Sequence, residues 1–473
     1  MLFNSIEFLI FLSLLFVLYW FVFNNSLKLQ NLLILVSSYI FYGWWDYRFL
    51  SLILLTTIID YVVALNINKQ SLKRNQKILL ICSIIFNLSL LGVFKYYNFF
   101  VESWIDLLNS IGYEIKNVWT LNLILPVGIS FYTFQTMSYT IDVYNEKLKP
   151  TKDFISFASF VSFFPQLVAG PIERATNLLP QILSKRYFNY EQSVQGLRLI
   201  LWGMFKKIVI ADSLAPMVNS IFGNYHDFGG GTLMLGSIYF SFQIYCDFSG
   251  YSDIAIGTSK LFGFELMSNF KFPYFSRNIG EFWRKWHISL SSWFRDYLYI
   301  PLGGSKNGKW RSLRNIFIIF LVSGFWHGSN WTFIAWGLFH SILFIPSFIF
   351  KNNRKYVSST IAENTKLPSF KETFQVLTTY ALVTIGWVFF RSKTISDSFN
   401  YLSLMLFEID IPDKFINGLL YVILTVSIDY TVRKKERLNI KIHKYIDLIL
   451  SATILILIIW FYNRSTGFIY FQF

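Results

Sequence analysis

Long apolar blocks alternate with short polar segments along the whole chain. Many blocks approach the roughly 20 residues that an α-helix needs to cross about 30 Å of hydrocarbon. The pattern predicts membrane helices over residues 2–23, 29–45, 49–65, 78–100, 121–141, 154–169, 196–211, 232–248, 315–328, 331–350, 373–390, 415–430 and 446–461. Several blocks fall short of that length, so we expect re-entrant segments among about eleven to thirteen membrane-embedded helices.

The amino-acid composition also indicates a membrane protein and excludes several other classes of protein. Hydrophobic residues make up 54% of the 473 residues, Phe alone contributes 52, and only 15% are charged, whereas soluble domains carry about 25% charge. An all-α integral membrane protein is therefore expected, and intrinsic disorder is excluded. The two cysteines, Cys82 and Cys246, lie in apolar stretches, so a disulfide framework and a Cys-rich zinc site are excluded as well.

The formal net charge of +15 is concentrated in segments between apolar blocks. Two basic loops stand out, one with Lys69, Lys73, Arg74 and Lys77, the other with Arg433, Lys434, Lys435, Arg437, Lys441 and Lys444. Cytoplasmic loops of membrane proteins are enriched in Lys and Arg, so we place both loops inside the cell and both termini outside. Residues 102–120 fit an outer loop, because they contain three acidic residues, Glu102, Asp106 and Glu114, and one basic residue, Lys116. Membrane anchoring is favoured over nucleic-acid binding for these charges.

Two longer polar stretches also interrupt the apolar blocks. Residues 277–314 contain eight Lys or Arg residues against Glu281 and Asp296, which predicts a cytoplasmic location. Residues 351–371 contain five basic residues and one acid. Their pattern indicates no particular chemistry.

Ionisable side chains at membrane depth usually face a bundle interior or a water-filled path, so they indicate function. His327 is expected about 18 Å beyond the basic stretch, past the middle of the hydrocarbon layer. His287 shares one face of a helix predicted over residues 278–301 with Trp283, Leu290 and Phe294. That helix is too charged to cross lipid, so we expect it to be interfacial or re-entrant. A packing role stays open at each histidine, but two inward-facing histidines favour a paired site.

The other three histidines are expected to be structural. His226 and His443 lie in polar loops, where a solvated side chain is expected. His340 lies in an apolar block, where a packing histidine with satisfied hydrogen bonds is favoured. For Asp247, Tyr251 and Asp253, a structural role between helices is favoured over tunnel lining.

The absence of several motifs narrows the chemistry. The sequence contains no P-loop, G-x-S-x-G elbow, H-E-x-x-H or C-x-x-C motif. Metal-assisted hydrolysis and serine-hydrolase chemistry are therefore poor candidates, and no metal is expected. A histidine acting as a general base on a hydroxyl stays open, since a neutral imidazole needs no charge buried in lipid.

At these residues the chain resembles the membrane-bound O-acyltransferases, in particular the bacterial alginate and peptidoglycan O-acetyltransferases. The resemblance covers roughly residues 1–465. Its most specific segments are LPVGISFYTFQ at 125–135, FFPQLVAGPI at 163–172, YCDFSGYSD at 245–253, the His287 segment through PLGG at 301–304, and WHG at 326–328.

The resemblance implies a fold and two site residues. The fold would be a single polytopic domain over residues 1–473, with a core at about 120–350 and peripheral helices at 1–100 and 373–465. Helices and re-entrant elements would form a central tunnel whose funnels meet at two histidines. His327 would match the nearly universal histidine of the family, and His287 its second signature position.

The resemblance also implies a reaction. An acetyl group from cytoplasmic acetyl-CoA would reach an extracytoplasmic cell-wall or surface polysaccharide. The chemistry of the two residues adds a mechanism in which His327 is the general base and His287 stabilises the acyl carbonyl or its oxyanion, and which histidine takes which role stays open. Basic residues would attract the phosphates of acetyl-CoA, a substrate rather than a bound cofactor. Arg284, Lys285 and Arg295 would either contact this donor or act as topology anchors.

Partners and location follow from the same resemblance. Its wall-modifying members typically pass the acetyl group to a separate extracytoplasmic transferase of the SGNH type, so we expect such a partner and a multi-pass protein of the bacterial cytoplasmic (inner) membrane. Two alternatives stay open. One is D-alanyl transfer to teichoic acids from a carrier-protein thioester, although the PLGGS sequence at 301–305 is closer to the acetyl branch. The other is a transporter that exports a glycan or lipid without covalent chemistry.

Overall fold

The structure is a computed structural model that describes residues 1–113, 119–121, 123–168, 170–306, 308–408, 410–412, 414–437, 443–462 and 467–468. Glu114, Lys116, Lys441 and the last position of the predicted helix 154–169 lie outside the described residues. Within the described residues all regular secondary structure is helical, which confirms the predicted all-α class. The chain divides into two compact units. The prediction of a single polytopic domain stays a prediction.

The first unit comprises residues 1–194 and 258–266. Its helices are α1 (Ile6–Val17), α2 (Leu27–Gly43), α3 (Leu50–Lys69), α4 (Lys73–Leu91), α5 (Tyr97–Ser110), α6 (Ile129–Tyr144), α7 (Phe154–Ser162), α8 (Phe164–Leu167) and α9 (Ala175–Leu183). A buried carboxylate joins α3 to α4. Asp60 accepts hydrogen bonds from Ser83 Oγ at 2.5 Å and from Asn87 Nδ2 at 2.9 Å. These donors offset the cost of burying the carboxylate, so they fix how the two helices pair.

The second unit comprises residues 195–257 and 267–473. Its helices are α10 (Tyr190–Met204), α11 (Asp212–Gly223), α12 (Gly230–Leu261), α13 (Ile279–Lys285), α14 (Ile288–Phe294), α15 (Lys309–His327), α16 (Trp331–Ile349), α17 (Phe370–Arg391), α18 (Ile395–Phe407), α19 (Leu419–Val432) and α20 (Lys444–Phe461); α10 begins, and α12 ends, within the first unit. Short π-helical turns follow α10 at Phe205–Ala211 and α14 at Arg295–Tyr299. All residues discussed below as the site belong to this unit.

Four described helices are long and apolar enough to cross a membrane by length and composition, namely Tyr47–Lys69, Lys73–Ser110, Trp331–Ile349 and Phe370–Arg391. Shorter apolar helices occur at Ile6–Val22, Phe154–Leu167, Ile416–Val432 and Tyr445–Phe461. The protein is therefore a multi-pass membrane protein. The larger number of embedded helices expected from the sequence stays a prediction.

Several predicted boundaries were wrong for local reasons. The outer loop expected over residues 102–120 is helical as far as Ser110, so Glu102 and Asp106 lie within α5. The predicted helix 154–169 is broken between α7 and α8, where Pro165 can begin a helix but cannot continue one. The helix predicted over 121–141 begins at Ile129, after Gly128 adopts a left-handed conformation with φ of 77°.

Candidate functional site

His327 is the last residue of α15, in a tight hairpin with α16. The two helices touch backbone to backbone, because a Cβ atom on Gly324 would lie 2.3 Å from the carbonyl oxygen of Phe333. On α16, a Cβ on Gly337 would lie 2.3 Å from the carbonyl oxygen of Phe320. Asn330 caps α16 by accepting a hydrogen bond from a backbone N–H in its first turn at 2.9 Å. The hairpin therefore fixes where His327 lies.

His287 does not lie within a continuous helix, so that prediction was wrong. Residues 278–301 form α13, a break and then α14, and His287 stands at the break with φ of 42°. The cause is a tertiary contact, since Asn269 accepts a hydrogen bond from the backbone N–H of Ile288 at 2.9 Å through its carbonyl and from Ser289 Oγ at 2.6 Å through its side chain. These bonds replace helical ones at the start of α14 and orient the backbone that carries His287.

The structure brings the two predicted site residues together. The ring centroids of His287 and His327 are 6.4 Å apart, and both side chains are almost fully buried. Phe248 stands edge-on to His287 with centroids 4.6 Å apart, and Trp336 stands edge-on to His327 at 5.1 Å. Aromatic walls of this kind limit the rotation of both imidazoles. Their catalytic role stays a prediction at this point.

Both histidines line one cavity of about 540 Å³. Its apolar lining includes Trp283, Leu290 and Phe320. Among the described residues, the lining also includes five cationic side chains, from Lys271, Arg284, Lys285, Arg295 and Arg354, against one carboxylate, that of Glu281. The cavity therefore combines apolar side chains with an excess of positive charge that attracts anions.

The cavity cations differ in what they already bind. Lys285 pairs with Glu281 at 2.8 Å, and Arg295 pairs with Asp296 at 2.7 Å. Arg284 donates to the backbone carbonyl of Tyr356 at 3.2 Å and to that of Asn353. Lys271 and Arg354 are different, because among the described residues neither has a carboxylate partner.

The stretch 351–371, to which the sequence assigned no chemistry, supplies one wall of the cavity. Residues 353, 354 and 356–360 line it. Arg277 holds this wall by donating to the carbonyl of Ser359 at 2.8 Å and by stacking its guanidinium 3.8 Å from the ring centre of Tyr356. Glu281 and Glu372 bind the same guanidinium at 3.1 and 3.2 Å. Sequence reasoning missed this segment, because the spacing of Arg277 and Glu281 at i and i+4 indicates only their own ion pair.

The acidic residues of the segment 245–253 have structural partners. Asp247 pairs with Lys207 at 2.8 Å, and Asp253 pairs with Lys206 at 2.7 Å. Tyr251 is buried. None of the three lines the cavity that holds the two histidines. The structural interpretation is therefore the better one.

The remaining histidines lie where predicted, although His340 lacks the hydrogen-bond partners expected for it among the described residues. His226 and His443 are exposed. His340 is fully buried, with its ring centroid 4.9 Å from those of Trp283 and Trp336, and its ring nitrogens have no hydrogen-bond partner among the described residues. It packs behind the cavity wall rather than lining it. The described part of the chain contains no cluster of three His, Cys, Asp or Glu residues able to hold a metal ion.

The chain matches one family model and several known proteins. Residues 90–368 match the family model of the membrane-bound O-acyltransferases. The "Probable alginate O-acetylase AlgI" of Pseudomonas syringae pv. tomato is 41% identical over 370 residues, covering 78% of this chain and 68% of that protein. The "Peptidoglycan O-acetyltransferase" of Helicobacter pylori is 36% identical, covering 79% and 73%. The "Teichoic acid D-alanyltransferase" of Bacillus subtilis is 29% identical, covering 58% and 70%.

Proposed function

Because the chain belongs to the membrane-bound O-acyltransferase family and is an acyltransferase, we propose that it moves an acetyl group from cytoplasmic acetyl-CoA across the membrane for O-acetylation of an extracytoplasmic polysaccharide. One observation carries the proposal: two buried histidines, with ring centroids 6.4 Å apart, line the same cavity. The alginate and peptidoglycan relatives support an acetyl group over other acyl groups.

The proposed chemistry is an acyl transfer between a thioester and a hydroxyl. His327 accepts the proton of the acceptor hydroxyl while the oxygen attacks the thioester carbonyl. A C–O bond forms, the C–S bond breaks, and the imidazolium of His327 returns its proton to the leaving thiolate. His287 donates a hydrogen bond to the oxyanion that develops in between. Each histidine contributes about 10²- to 10³-fold to the rate.

In this proposal acetyl-CoA, the acyl donor, binds at the cationic side chains of the cavity. Lys271 and Arg354 have no carboxylate partner among the described residues, so they are available to the phosphate groups of acetyl-CoA. Charge-assisted hydrogen bonds to phosphate are about twice as strong as neutral ones. Because Arg284, Lys285 and Arg295 are already bonded to protein groups, their role is to shape the cavity, and direct contact with the donor falls to the other two cations.

The acceptor end requires a second protein in this proposal. An SGNH-type acetyltransferase partner, outside the cell, receives the acetyl group and passes it to the polysaccharide. The chain then lies in the bacterial cytoplasmic (inner) membrane with its basic loops inside and both termini outside. The positive charges of the loops support this orientation.

The test is acetate transfer in proteoliposomes that contain the full-length protein, a partner transferase, a polysaccharide acceptor and radiolabelled acetyl-CoA. We expect His327→Ala and His287→Gly to lower the rate at least about 100-fold, because neither variant keeps a side chain that can accept a proton or donate a hydrogen bond. Glycine tolerates the left-handed backbone at position 287. His226→Ala, an exposed histidine, is the matched control and should keep the wild-type rate.

Three results would contradict the proposal. Undiminished transfer by a well-folded His327→Ala variant would remove the catalytic assignment. The second concerns wall polymers from cells with and without the gene. If the cells without it lose alanine rather than acetate from these polymers, the D-alanyl reaction that the Bacillus relative suggests would be favoured. Movement of a glycan or lipid without any covalent transfer would favour a transporter.

A further inference from the structure

The helix pair that carries His327 also bears an open groove at its other end. The groove has a volume of about 680 Å³ and lies between the first half of α15 and the last turns of α16. Its lining consists of Lys309, Trp310, Leu313, Arg314, Phe317, Ile345 and Ile349. None of these residues lines the cavity of the two histidines. The groove is therefore a separate feature of the surface.

The groove changes from cationic to apolar along α15. Lys309 and Arg314 lie in the first two turns of the helix, within about 8 Å along its axis. Beyond them the lining is apolar, with Phe317 on α15 and Ile345 and Ile349 on the facing helix. Trp310 is 84% exposed next to the cations, where an amphipathic ring marks the boundary between headgroups and hydrocarbon.

The cationic end is free to bind an anion. Among the described residues, no carboxylate lines the groove, and Lys309 and Arg314 have no acidic partner. Asn315, fully buried, accepts a hydrogen bond from the Arg314 guanidinium at 2.9 Å, so that the guanidinium is oriented. The N-terminus of α15 begins after Gly308 with no side-chain cap. Its first N–H groups and the helix dipole add to the attraction for a phosphate.

We propose that this groove binds an anionic glycerophospholipid, with its phosphate at Lys309 and Arg314 and an acyl chain along Leu313, Phe317, Ile345 and Ile349. A ligand with one negative end and one apolar end matches both parts of the groove. α16 is also one of the four described helices long and apolar enough to cross a membrane, which supports an acyl chain as the occupant of the apolar part. The inference goes beyond the acyl transfer proposed above and does not depend on it.

The experiment is native mass spectrometry of the purified full-length protein with added phosphatidylglycerol or phosphatidylcholine of the same chain length. Wild type should retain phosphatidylglycerol at least about tenfold more tightly than phosphatidylcholine. Lys309→Gln combined with Arg314→Gln should remove this preference. The matched control, Lys366→Gln with Lys371→Gln, lowers the net charge equally at two exposed lysines outside the groove and should keep it. Short-chain phosphatidylglycerol should bind at least about tenfold more weakly than the long-chain lipid.

Three outcomes would overturn the proposal: no preference in wild type, an equal loss in both double variants, or equal binding of short-chain and long-chain phosphatidylglycerol. A photoactivatable phosphatidylglycerol on wild-type protein gives a result that does not depend on the folding of a variant. Its cross-links should fall within residues 309–317 and 345–349. Cross-links confined to other segments, or a second copy of the chain covering this surface, would also overturn the proposal.

Discussion

The close contact between α15 and α16 predicts a strong effect from adding a single methyl group. In Gly324→Ala the new Cβ would lie 2.3 Å from the carbonyl oxygen of Phe333, whereas ordinary contacts begin at 3.4 Å. The helices must therefore separate by about 1 Å at this level, one turn before His327. Overpacking of this kind costs about 1–3 kcal/mol of stability. A displacement of about 1 Å at a reacting group lowers the rate about 100-fold.

The assay compares unfolding and acetate transfer in the same preparations. We expect Gly324→Ala to lower the melting temperature moderately and the turnover of acetate transfer about 100-fold. The affinity for acetyl-CoA should change much less, because Lys271 and Arg354 are not on these helices. Gly223→Ala is the control, since a Cβ on Gly223 would meet nothing within 4 Å. If Gly324→Ala behaves like Gly223→Ala in both measurements, the hairpin does not position His327 and the reasoning is wrong.

Three further predictions concern residues around the site. His340→Leu should leave the free energy of unfolding within about 1 kcal/mol of wild type, because no described group bonds to its ring nitrogens; a loss above about 3 kcal/mol would reveal a hydrogen bond. Arg277→Lys should raise the KM for acetyl-CoA and speed limited proteolysis of residues 351–369, since Lys cannot reproduce the forked contacts or the stacking on Tyr356; unchanged proteolysis would contradict this. Lys207→Met should cost about 3–5 kcal/mol, because Asp212 and Asp247 lose the ammonium that they share at 2.7 and 2.8 Å; a melting temperature equal to wild type would refute it.

Helices set by local signals could be predicted closely from the sequence. The helix predicted over residues 331–350 is observed at Trp331–Ile349, and the one predicted over 373–390 is observed at Phe370–Arg391. In both cases an apolar run is preceded by a side-chain cap, Asn330 in the first and Ser369 with Glu372 in the second. These signals lie within a few residues of the helix that they begin, so no tertiary information is needed.

The geometry of His287 could not be predicted in the same way. The apolar spacing of residues 278–301 is genuinely helical, and the prediction of one helix followed it. The chain departs from that pattern because Asn269, eighteen positions before His287, accepts hydrogen bonds from the backbone of Ile288 and from the side chain of Ser289. A single sequence gives no indication that this Asn bonds there. The sequence could therefore favour a paired site of His287 and His327, but the break in the helix at His287 required the structure.

The charged residues show which buried interactions a sequence can reveal. Lys206 and Lys207 lie within the predicted apolar block 196–211, and buried cations require counterions. Asp212 directly follows that block, Asp247 lies in the predicted block 232–248, and Asp253 follows it, so acids that could pair with these lysines were visible in the sequence. Arg277 differs, because it also donates to a backbone carbonyl, a group that every residue carries. Such an acceptor leaves no trace in residue identity, which is why the wall formed by residues 353–360 had no sequence signal although it borders the cavity of both histidines.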